Sequence, residues 1–373
     1  MIMHMGTKYY IGVMSGTSLD GIDCSLVEFG LNSFRLHRAR TFLINDSLCY
    51  DLKNLIIDQG NDLEKLEVAG KLLGIEYACA INALIAEANI SKNQIKAIGI
   101  SGQTIAHHPD QNPPFSLQIG SPSEVLSLTG ITVVHDFRKS DIDAGGQGAP
   151  LLPLFHQFLF QEKKAPLFLL NIGGISNLTY INNDSVIGFD CGPGNTLIDW
   201  YANLFFSLSH DIDGKLAAQG KVNAEFLSRL YADPYFHLIY PKSTGREYFN
   251  HLWVKKHLDK MIINPVDIIS TLTELTANCI VSSIKKIKNY GCCPIFLYGG
   301  GVHNKELCSR IIKKLPEMVI KSTSTLGIDP DFMESMGFAW LAQQRIKKRQ
   351  FNLSAITGSK GMLSLGEILR INA

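Results

Sequence analysis

The stretch Ile11-Gly-Val-Met-Ser-Gly-Thr-Ser-Leu-Asp-Gly-Ile-Asp23 decides how the first third of the chain folds. Its apolar ends predict two strands, Lys8 to Ser15 and Ile22 to Phe29, joined as a hairpin. The connecting turn, Gly16-Thr-Ser-Leu-Asp-Gly21, carries two glycines, two hydroxyls and a carboxylate. A hairpin turn needs less polarity than this, so the turn is a candidate for binding a ligand.

Strands and helices alternate after this hairpin. Apolar residues at helical spacing predict a long helix from Asp62 to Ala88. The other predicted elements are strands at Phe34 to Ile44, Ile95 to Ile100 and Ile131 to Phe137, and a helix at Pro122 to Leu128. The segment from Asp143 to Pro153, rich in Gly and Pro, predicts a linker or hinge.

The opening pattern returns after this linker. Leu167 to Asn171 predicts a strand, Gly173-Gly-Ile-Ser-Asn177 a polar turn, and Leu178 to Ile181 a second strand. The elements predicted next are a strand at Val186 to Phe189, helices at Thr196 to Phe206, Ala224 to Tyr231 and Pro265 to Asn289, a strand at Ile295 to Tyr298, a helix at Lys305 to Leu315, a strand at Val319 to Lys321, and a last helix capped by Asp329 and ending near Arg349. Two halves built alike predict an α/β protein of two similar domains with a ligand cleft between them.

Composition excludes several classes of protein. The 373 residues carry a formal net charge of +1, which argues against a nucleic-acid-binding surface. No apolar run looks long enough to span a bilayer, so we expect no membrane partner. The eight cysteines form no CxxC pair, and the N-terminus lacks a signal-peptide core. A cytoplasmic protein with reduced cysteines is therefore expected.

The two polar turns together predict a phosphate-binding site. Gly16 and Gly21 in the first turn, and Gly173 and Gly174 in the second, would let backbone N–H groups approach an anion. Each turn alone is also explained as a tight hairpin. The carboxylates of Asp20 and Asp23 would repel bare phosphate, which favours a bound Mg²⁺ as well. The chain has neither GxxxxGK[ST] nor GxGxxG, so a nucleotide would not bind through those fingerprints.

Other polar groups also follow predicted strands. Gly299, Gly300 and Gly301 lie between a strand and a helix, where they could admit a base or sugar, or simply form a turn capped by Asn304. Asp190 begins Asp190-Cys-Gly-Pro-Gly-Asn195, where it could act as a general base or form an Asx turn. Arg138 could bind an anion or a surface carboxylate, and Glu334 could bind a ligand or simply complement a helix N-terminus.

These motifs resemble the anhydro-N-acetylmuramic acid kinase family. The resemblance rests on Gly12 to Asp23, on Asp136-Phe-Arg138 with Ala144-Gly-Gly-Gln-Gly-Ala-Pro150, on Asn171-Ile-Gly-Gly-Ile-Ser-Asn177, on Asp190 to Asn195 and on Pro330-Asp-Phe-Met-Glu334. The resemblance implies two ribonuclease-H-like domains of the actin/hexokinase type flanking a nucleotide cleft. We divide the chain into residues 1–138 plus 350–373 and residues 139–349. A homodimer is the expectation for the family.

The implied reaction uses ATP and Mg²⁺ in cell-wall peptidoglycan recycling. Water opens the 1,6-anhydro ring of 1,6-anhydro-N-acetylmuramic acid, and O6 receives the γ-phosphoryl group, which gives N-acetylmuramic acid 6-phosphate. By resemblance, Asp190 activates the water, and Arg138, Glu334 and Gln103 hold the sugar. ATP would bind Gly16, Thr17, Ser18, Leu19, Asp20, Gly21, Ile22 and Asp23, with Gly173, Gly174, Gly299, Gly300 and Gly301, and the metal would bind Asp20 and Asp23.

Three other functions remain open at this point. A different sugar kinase of the same superfamily would share the phosphate turns. An actin-like ATP-binding protein would not need Asp190 and Glu334 for a small substrate. A plain glycoside hydrolase would need the carboxylates but not the phosphate turns.

Overall fold

The structure is a computed structural model that describes residues 9–16, 19–162, 165–183, 185–288 and 291–371. The chain folds into two compact units. Unit 1 is Met1–Gln161 with Phe332–Ala373, and unit 2 is Glu162–Asp331.

The first pass through unit 1 forms seven strands and five helices among the described residues. In chain order they are β1 Tyr9–Ser15, β2 Ile22–Phe29, β3 Phe34–Phe42, α1 Asp46–Ile57, α2 Leu63–Ala88, β4 Ile95–Ile100, β5 Gln103–His108, β6 Phe115–Ile119, α3 Pro122–Thr129, β7 Val133–His135, α4 Lys139–Asp143 and α5 Leu152–Phe160.

Unit 2 and the return to unit 1 supply the remaining elements. Unit 2 contains β8 Leu167–Ile172, β9 Ile175–Asn182, β10 Ser185–Pro193, α6 Thr196–Phe206, α7 Lys215–Gln219, α8 Ala224–Tyr231, α9 His251–Leu258, α10 Pro265–Lys286, β11 Ile295–Tyr298, α11 Lys305–Lys314 and β12 Ile320–Ser322. The chain then adds α12 Met333–Ile346 and β13 Glu367–Leu369 to unit 1.

The main sheets of the two units have the same strand order, apart from the additional edge strand β13 in unit 1. Read in the same direction, the order is β3-β2-β1-β4-β7-β13 in unit 1 and β10-β9-β8-β11-β12 in unit 2. Each sheet has three consecutive antiparallel strands, and its first strand also pairs with a parallel strand. The predicted α/β class with two ribonuclease-H-like domains is confirmed.

Helix α12 packs closely against the sheet of unit 1 because two glycines make room for it. Gly12 of β1 and Gly99 of β4 are neighbours in register. A Cβ atom at Gly12 would overlap the main-chain oxygen of Ser335, and one at Gly99 would overlap that of Phe338. The hydroxyls of Ser25 and Ser335 share a hydrogen bond of 2.6 Å at the same contact.

Packing divides the chain at other points than the sequence-based boundaries, 138/139 and 349/350. Helix α5 follows residue 138 but packs in unit 1, where the Phe155 and Trp340 rings lie 6.0 Å apart. Helix α12 precedes residue 350 but contacts β1 and β4. Helix α12 covers the sheet of unit 1 and α5 packs against α12, so the units divide after Gln161 and after Asp331.

The long helix α2 is a core element of unit 1. Contrary to the expectation from the sequence, it is long and apolar enough to cross a membrane, and it is the one such helix in the described part of the chain. Leu73, Tyr77, Ile81 and Leu84 lie on its buried face and belong to the hydrophobic core under the sheet. Burial against that sheet explains the apolar composition of this helix.

The predicted last helix starts later than the sequence indicated. Asp329 and Pro330 were expected at its N-cap and first position, but α12 begins at Met333. The carboxylate of Asp329 accepts the N–H of Asp331 at 3.0 Å, and the carbonyl of Pro330 accepts the N–H of Gly299 at 2.9 Å. These bonds hold residues 329–331 in a turn, and the first helical turn forms beyond it.

Candidate active site

The first polar turn of unit 1 is fixed by the core beneath it. Leu19 has a left-handed φ of 57° and donates its N–H to the carbonyl of Gly16 at 3.2 Å. The side chains of Leu19 and Ile22 are buried, so only their main chains could contact phosphate. A Cβ atom at Gly21 would lie 2.5 Å from Thr41 Cγ2, which explains this glycine by packing. Thr17 and Ser18 lie outside the described residues.

The two acidic residues of this turn differ in exposure. Asp20 is exposed, whereas Asp23 is half-buried on β2 and accepts the hydroxyl of Thr41 at 2.6 Å. Among the described residues, no group of three or more His, Cys, Asp or Glu side chains is placed to hold a metal ion. Mg²⁺ usually takes one or two carboxylates and completes its shell with water and phosphate oxygens, so the carboxylates of Asp20 and Asp23 are donors of the type that it would use.

The second polar turn is shorter than predicted, because β9 starts at Ile175 and leaves only Gly173 and Gly174 in the connection. The carbonyl of Gly173 accepts the N–H of Asn195 at 2.8 Å, and that of Gly174 accepts the N–H of Gly194 at 2.9 Å. A side chain at Gly194 would overlap the oxygen of Gly173. The turn is therefore held by the loop that leads into α6.

The third glycine loop begins where β11 ends. Gly299 has a φ of +80°, and a Cβ atom there would overlap Asn171 Oδ1, while one at Gly301 would overlap Ile172. A Cβ atom at Gly300 would meet nothing within 4 Å in the described part of the chain. Asn304 caps α11 by accepting the N–H of Leu307 at 3.0 Å, as the alternative interpretation of this loop predicted.

A groove of about 590 Å³ lies beside this loop within unit 2. Its lining combines the polar residues His303, Ser322, Ser324, Asp329 and Asp331 with the apolar residues Val302, Ile328 and Pro330. The imidazole of His303 lies 3.2 Å from the carboxylate of Asp331. A volume of this size is within the range of small-molecule sites in proteins.

Asp190 is held inside β10, whereas the sequence had placed it after the strand. Its side chain is buried, and its Oδ2 accepts the N–H of Thr244 at 3.0 Å. Its own N–H donates to the carbonyl of Lys242 at 3.1 Å, and its carbonyl accepts the hydroxyl of Tyr235 at 2.9 Å. The register of β10 shifts between Asp190 and Gly192, which gives the strand a local irregularity at this carboxylate.

Polar residues extend from Asp190 across the sheet of unit 2. Asp190 is opposite Asn177, Asn177 is opposite Asn171, and Asn171 is opposite Tyr298. The Tyr298 hydroxyl lies 3.4 Å from Asn177 Oδ1. Sequence reasoning did not assign roles to Asn171, Asn177, Tyr298 or the partners of Asp190. The sequence did contain one signal for this set of residues, because Asn171 is an amide at the end of an otherwise apolar strand.

The predicted sugar-binding residues all belong to unit 1. Arg138 is half-buried just before α4, and its charge contributes, after burial itself, to lowering the pKa of His107 to about 3. Gln103 opens β5 and is fully buried, and among the described residues its Oε1 has no hydrogen-bond partner. Glu334 is half-buried in the first turn of α12. The candidate site residues thus form two sets, one in each unit.

Comparisons with known proteins identify the family. A profile described as Anhydro-N-acetylmuramic acid kinase matches residues 8–370. The chain belongs to the anhydro-N-acetylmuramic acid kinase family.

Similar proteins extend over nearly the whole chain. Relatives named anhydro-N-acetylmuramic acid kinase from Shewanella sp. (strain ANA-3) and Shewanella oneidensis are each 43% identical over 97% of this chain and 98% of their own length. Among solved structures, the activator of 2-hydroxyisocaproyl-CoA dehydratase from Clostridium difficile with bound ADPNP is similar at 11% identity and a TM-score of 0.45, covering 91% of this chain and 96% of that chain. Family membership makes this protein a kinase that uses a sugar and ATP.

Proposed function

We propose that this kinase converts 1,6-anhydro-N-acetylmuramic acid, ATP and water into N-acetylmuramic acid 6-phosphate and ADP. The observation that carries the proposal is the Asp190 carboxylate, buried and held by the Thr244 N–H, in a chain of this family. A carboxylate fixed in this way suits the activation of water at an anomeric carbon. We assign the reaction to peptidoglycan recycling in the cytoplasm.

Two bonds form and two break in the proposed reaction. The water oxygen bonds to C1 of the sugar as the bond from C1 to O6 breaks. O6 bonds to the γ-phosphorus as the bond from that phosphorus to ADP breaks. Asp190 accepts the proton that the water loses. General-base assistance of this kind contributes about 10²–10⁴-fold to a rate.

We assign the ATP phosphates to main-chain groups of Gly16 to Asp23 and of Gly173 with Gly174. Gly299 to Gly301 would receive the nucleoside, supported by the open space at Gly300 and the groove beside it. Mg²⁺ held with Asp20 and Asp23 would neutralise charge on the phosphates, and phosphoryl transfer depends mainly on such neutralisation and on positioning.

We assign the sugar to Arg138, Glu334 and Gln103. The guanidinium of Arg138 suits the lactyl carboxylate that distinguishes muramic acid from glucosamine. The buried Gln103 Oε1 could accept a hydrogen bond from a sugar hydroxyl after a local rearrangement. Glu334 would accept hydrogen bonds from the sugar at the start of α12. We also propose that the protein forms a homodimer, as is expected for the family. Analytical ultracentrifugation would test this proposal.

One assay separates this reaction from its alternatives. The purified protein is incubated with 1,6-anhydro-N-acetylmuramic acid in ¹⁸O-water, with and without ATP, and the product is measured by mass spectrometry. The proposal expects one added phosphate and one ¹⁸O, the latter on C1 and not on the phosphate. Addition of water alone would indicate a hydrolase, and an unchanged sugar would indicate a protein that only binds.

Asp190→Asn tests the assigned base. We expect turnover to fall by at least about 10²-fold, because the amide cannot accept the proton, with ATP binding nearly unchanged. Asp211→Asn is the matched control, since Asp211 is also a buried carboxylate of unit 2 that accepts N–H groups, from Leu216 and Ala217. The control should lose stability and keep turnover. An Asp190→Asn protein with most of its activity would refute the assignment.

A further inference from the structure

We propose that Lys242 is a positioning residue for Asp190, which it holds through the segment Lys242–Thr244 and the Tyr235 ring. The inference rests on the proposed function, because it concerns the same carboxylate. Lys242 is part of no motif by which the sequence predicted the site, and it contributes no assigned ligand contact.

The segment Lys242–Thr244 binds Asp190 at two points. The carbonyl of Lys242 accepts the N–H of Asp190, and the N–H of Thr244 donates to Asp190 Oδ2. The orientation of the carboxylate therefore depends on where this segment lies. A shift of the segment would lengthen the bond to Oδ2 and change the direction of the lone pair that accepts the proton.

The ammonium of Lys242 fixes the segment to a neighbouring 3₁₀ turn, Pro234–His237. Its Nζ donates to the carbonyl of Tyr235 at 3.2 Å and lies 4.1 Å from the centre of the Tyr235 ring. The hydroxyl of the same tyrosine donates to the carbonyl of Asp190. Lys242, Tyr235 and Asp190 thus form a closed set of contacts around the main chain of Asp190.

The 3₁₀ turn is itself anchored at its start. Asp233 accepts hydrogen bonds from the Tyr235 N–H, the Tyr248 hydroxyl and the indole N–H of Trp253, at 2.9, 2.8 and 2.8 Å. A turn held this firmly can serve as the fixed point for Lys242. An apolar side chain of similar length could fill the same space but could not bind the Tyr235 carbonyl.

Several titratable groups surround the ammonium of Lys242. The titratable groups that face it are Asp190 and Cys191 on β10, Cys279 and Lys286 on α10, and Tyr235. Burial raises the pKa of both thiols and of Tyr235, so these three are neutral near pH 7. Burial lowers the pKa of Lys242 itself to about 8, so it is still mostly charged at neutral pH. Asp190 also faces this ammonium, and its charge raises the pKa of Lys242.

Lys286 offers a matched control. Its Nζ donates to the carbonyls of Phe236 and Leu238, at 2.6 and 3.1 Å, and so it binds the same 3₁₀ turn. It makes no contact with the segment that binds Asp190 among the described hydrogen bonds. Removing either ammonium should loosen the turn, but only the loss of Lys242 should release the carboxylate.

The experiment compares Lys242→Met, Lys242→Arg, Tyr235→Phe, Lys286→Met and Asp190→Asn by steady-state kinetics over a range of pH. For Lys242→Met we expect kcat to fall by roughly tenfold to a hundredfold, a part of what a general base contributes, with KM for ATP within about twofold. Loss of the Thr244 hydrogen bond and of the nearby cation disfavours the ionised form of the Asp190 carboxylate. The acid limb of the kcat/KM profile should therefore move to higher pH. Lys242→Arg should retain more of kcat and shift the acid limb less than Lys242→Met does. Tyr235→Phe should show a smaller loss of kcat of the same kind.

Lys286→Met should lower the thermal unfolding temperature but keep kcat and the pH profile. Equal kinetic losses in the two lysine variants, or an unmoved acid limb in Lys242→Met, would overturn the inference. Lys242→Arg and Tyr235→Phe still test it if Lys242→Met does not fold. An inactive Asp190→Asn beside an unaffected Lys242→Met would refute this inference alone, whereas an active Asp190→Asn would refute the proposed base itself.

Discussion

Gly299, Gly300 and Gly301 are adjacent in the chain, yet the surroundings of their Cα atoms differ. Gly299 and Gly301 make room for Asn171 and Ile172 at the end of β8, so they allow β11 and the following turn to pack. Gly300 faces open space. Only Gly300 is therefore without a packing reason among these three, and a ligand contact would supply one.

We expect Gly300→Ala to weaken ATP binding without lowering stability. The added methyl group points into the space that we assign to the nucleoside, and a clash there worth about 1.4 kcal/mol would raise Kd tenfold. Calorimetric titration with ADP and thermal unfolding would measure the two effects. Gly301→Ala is the control, with the opposite result, because overpacking against Ile172 should cost roughly 1–3 kcal/mol of stability. Equal ADP affinity in Gly300→Ala and the unaltered protein would contradict the assignment.

Residue type alone could not separate ligand-binding glycines from packing glycines. The sequence identified Gly16 and Gly21 as one pair in a phosphate turn, but Gly21 is already required by its contact with Thr41 on β3. Asp190 was proposed as the base because it stands beside a rigid Gly-Pro-Gly turn and matches a motif of the family. Its partners Lys242 and Thr244 were not found, because they are more than 50 residues away and only tertiary packing brings them to it.

Helix α12 illustrates which element boundaries a sequence can specify. Its capping signal predicted a helix, and the structure forms one. Its start was misplaced because Asp329-Pro330 is a strong local helix signal, whereas the competing bond comes from Gly299, about 30 residues earlier in the chain and just after β11. In contrast, α6, α8, β4 and β11 have the predicted limits, since caps and apolar runs set them locally.

Four other elements, α1, β5, β6 and α5, were missed for identifiable reasons. Helix α1 has a mixed pattern with only Leu48, Leu52 and Leu55 buried, so its apolar face is narrow. The hairpin of β5 and β6 carries polar residues on both strands, and no strands were predicted there. Helix α5 follows the Gly-rich segment and begins next to Pro153, which indicated a linker rather than a helix.

Gly12→Ala tests whether the close packing of α12 against β1 stabilises unit 1. The new methyl group would overlap the main-chain oxygen of Ser335, so α12 must shift, at a cost of roughly 1–3 kcal/mol or more. Since Ser335 follows Glu334, we also expect a higher KM for the sugar. Urea unfolding and sugar kinetics would measure both effects.

The control for Gly12→Ala is Gly70→Ala, in the middle of α2. There the nearest atoms to a new Cβ lie at 3.7 and 3.9 Å, so the methyl group meets ordinary contacts. Alanine should stabilise the helix by about 0.5–1 kcal/mol. If both substitutions change stability in the same direction, α12 does not pack on β1 as described.

Each unit repeats one arrangement of strands around its own hydrophobic core. The repeated strand–turn–strand pattern made this visible in the sequence, because hairpins depend on neighbouring residues. The division between units was less visible, because it depends on which sheet a helix covers. Helices α5 and α12 lie on either side of unit 2 in the chain, and both pack in unit 1.

The eight free cysteines differ in exposure, and so they can be used to test the packing of the two units. Cys79 and Cys292 are exposed, and Cys49 and Cys308 are intermediate. The buried thiols are Cys24 in unit 1 and Cys191, Cys279 and Cys293 in unit 2.

We expect an alkylating reagent to label Cys79 and Cys292 first in the native protein. The four buried thiols should react at least roughly a hundredfold more slowly, because burial raises their pKa values and labelling requires a local opening of the fold. Within unit 2, Cys191 and Cys293 share one core, so rising denaturant should expose them in a single transition. Peptide mass spectrometry would follow each site, with full denaturation as the reference for eight reactive thiols. Native labelling of Cys191 as fast as that of Cys79 would contradict the packing of β10 against α10, and with it the rigid support proposed for Asp190.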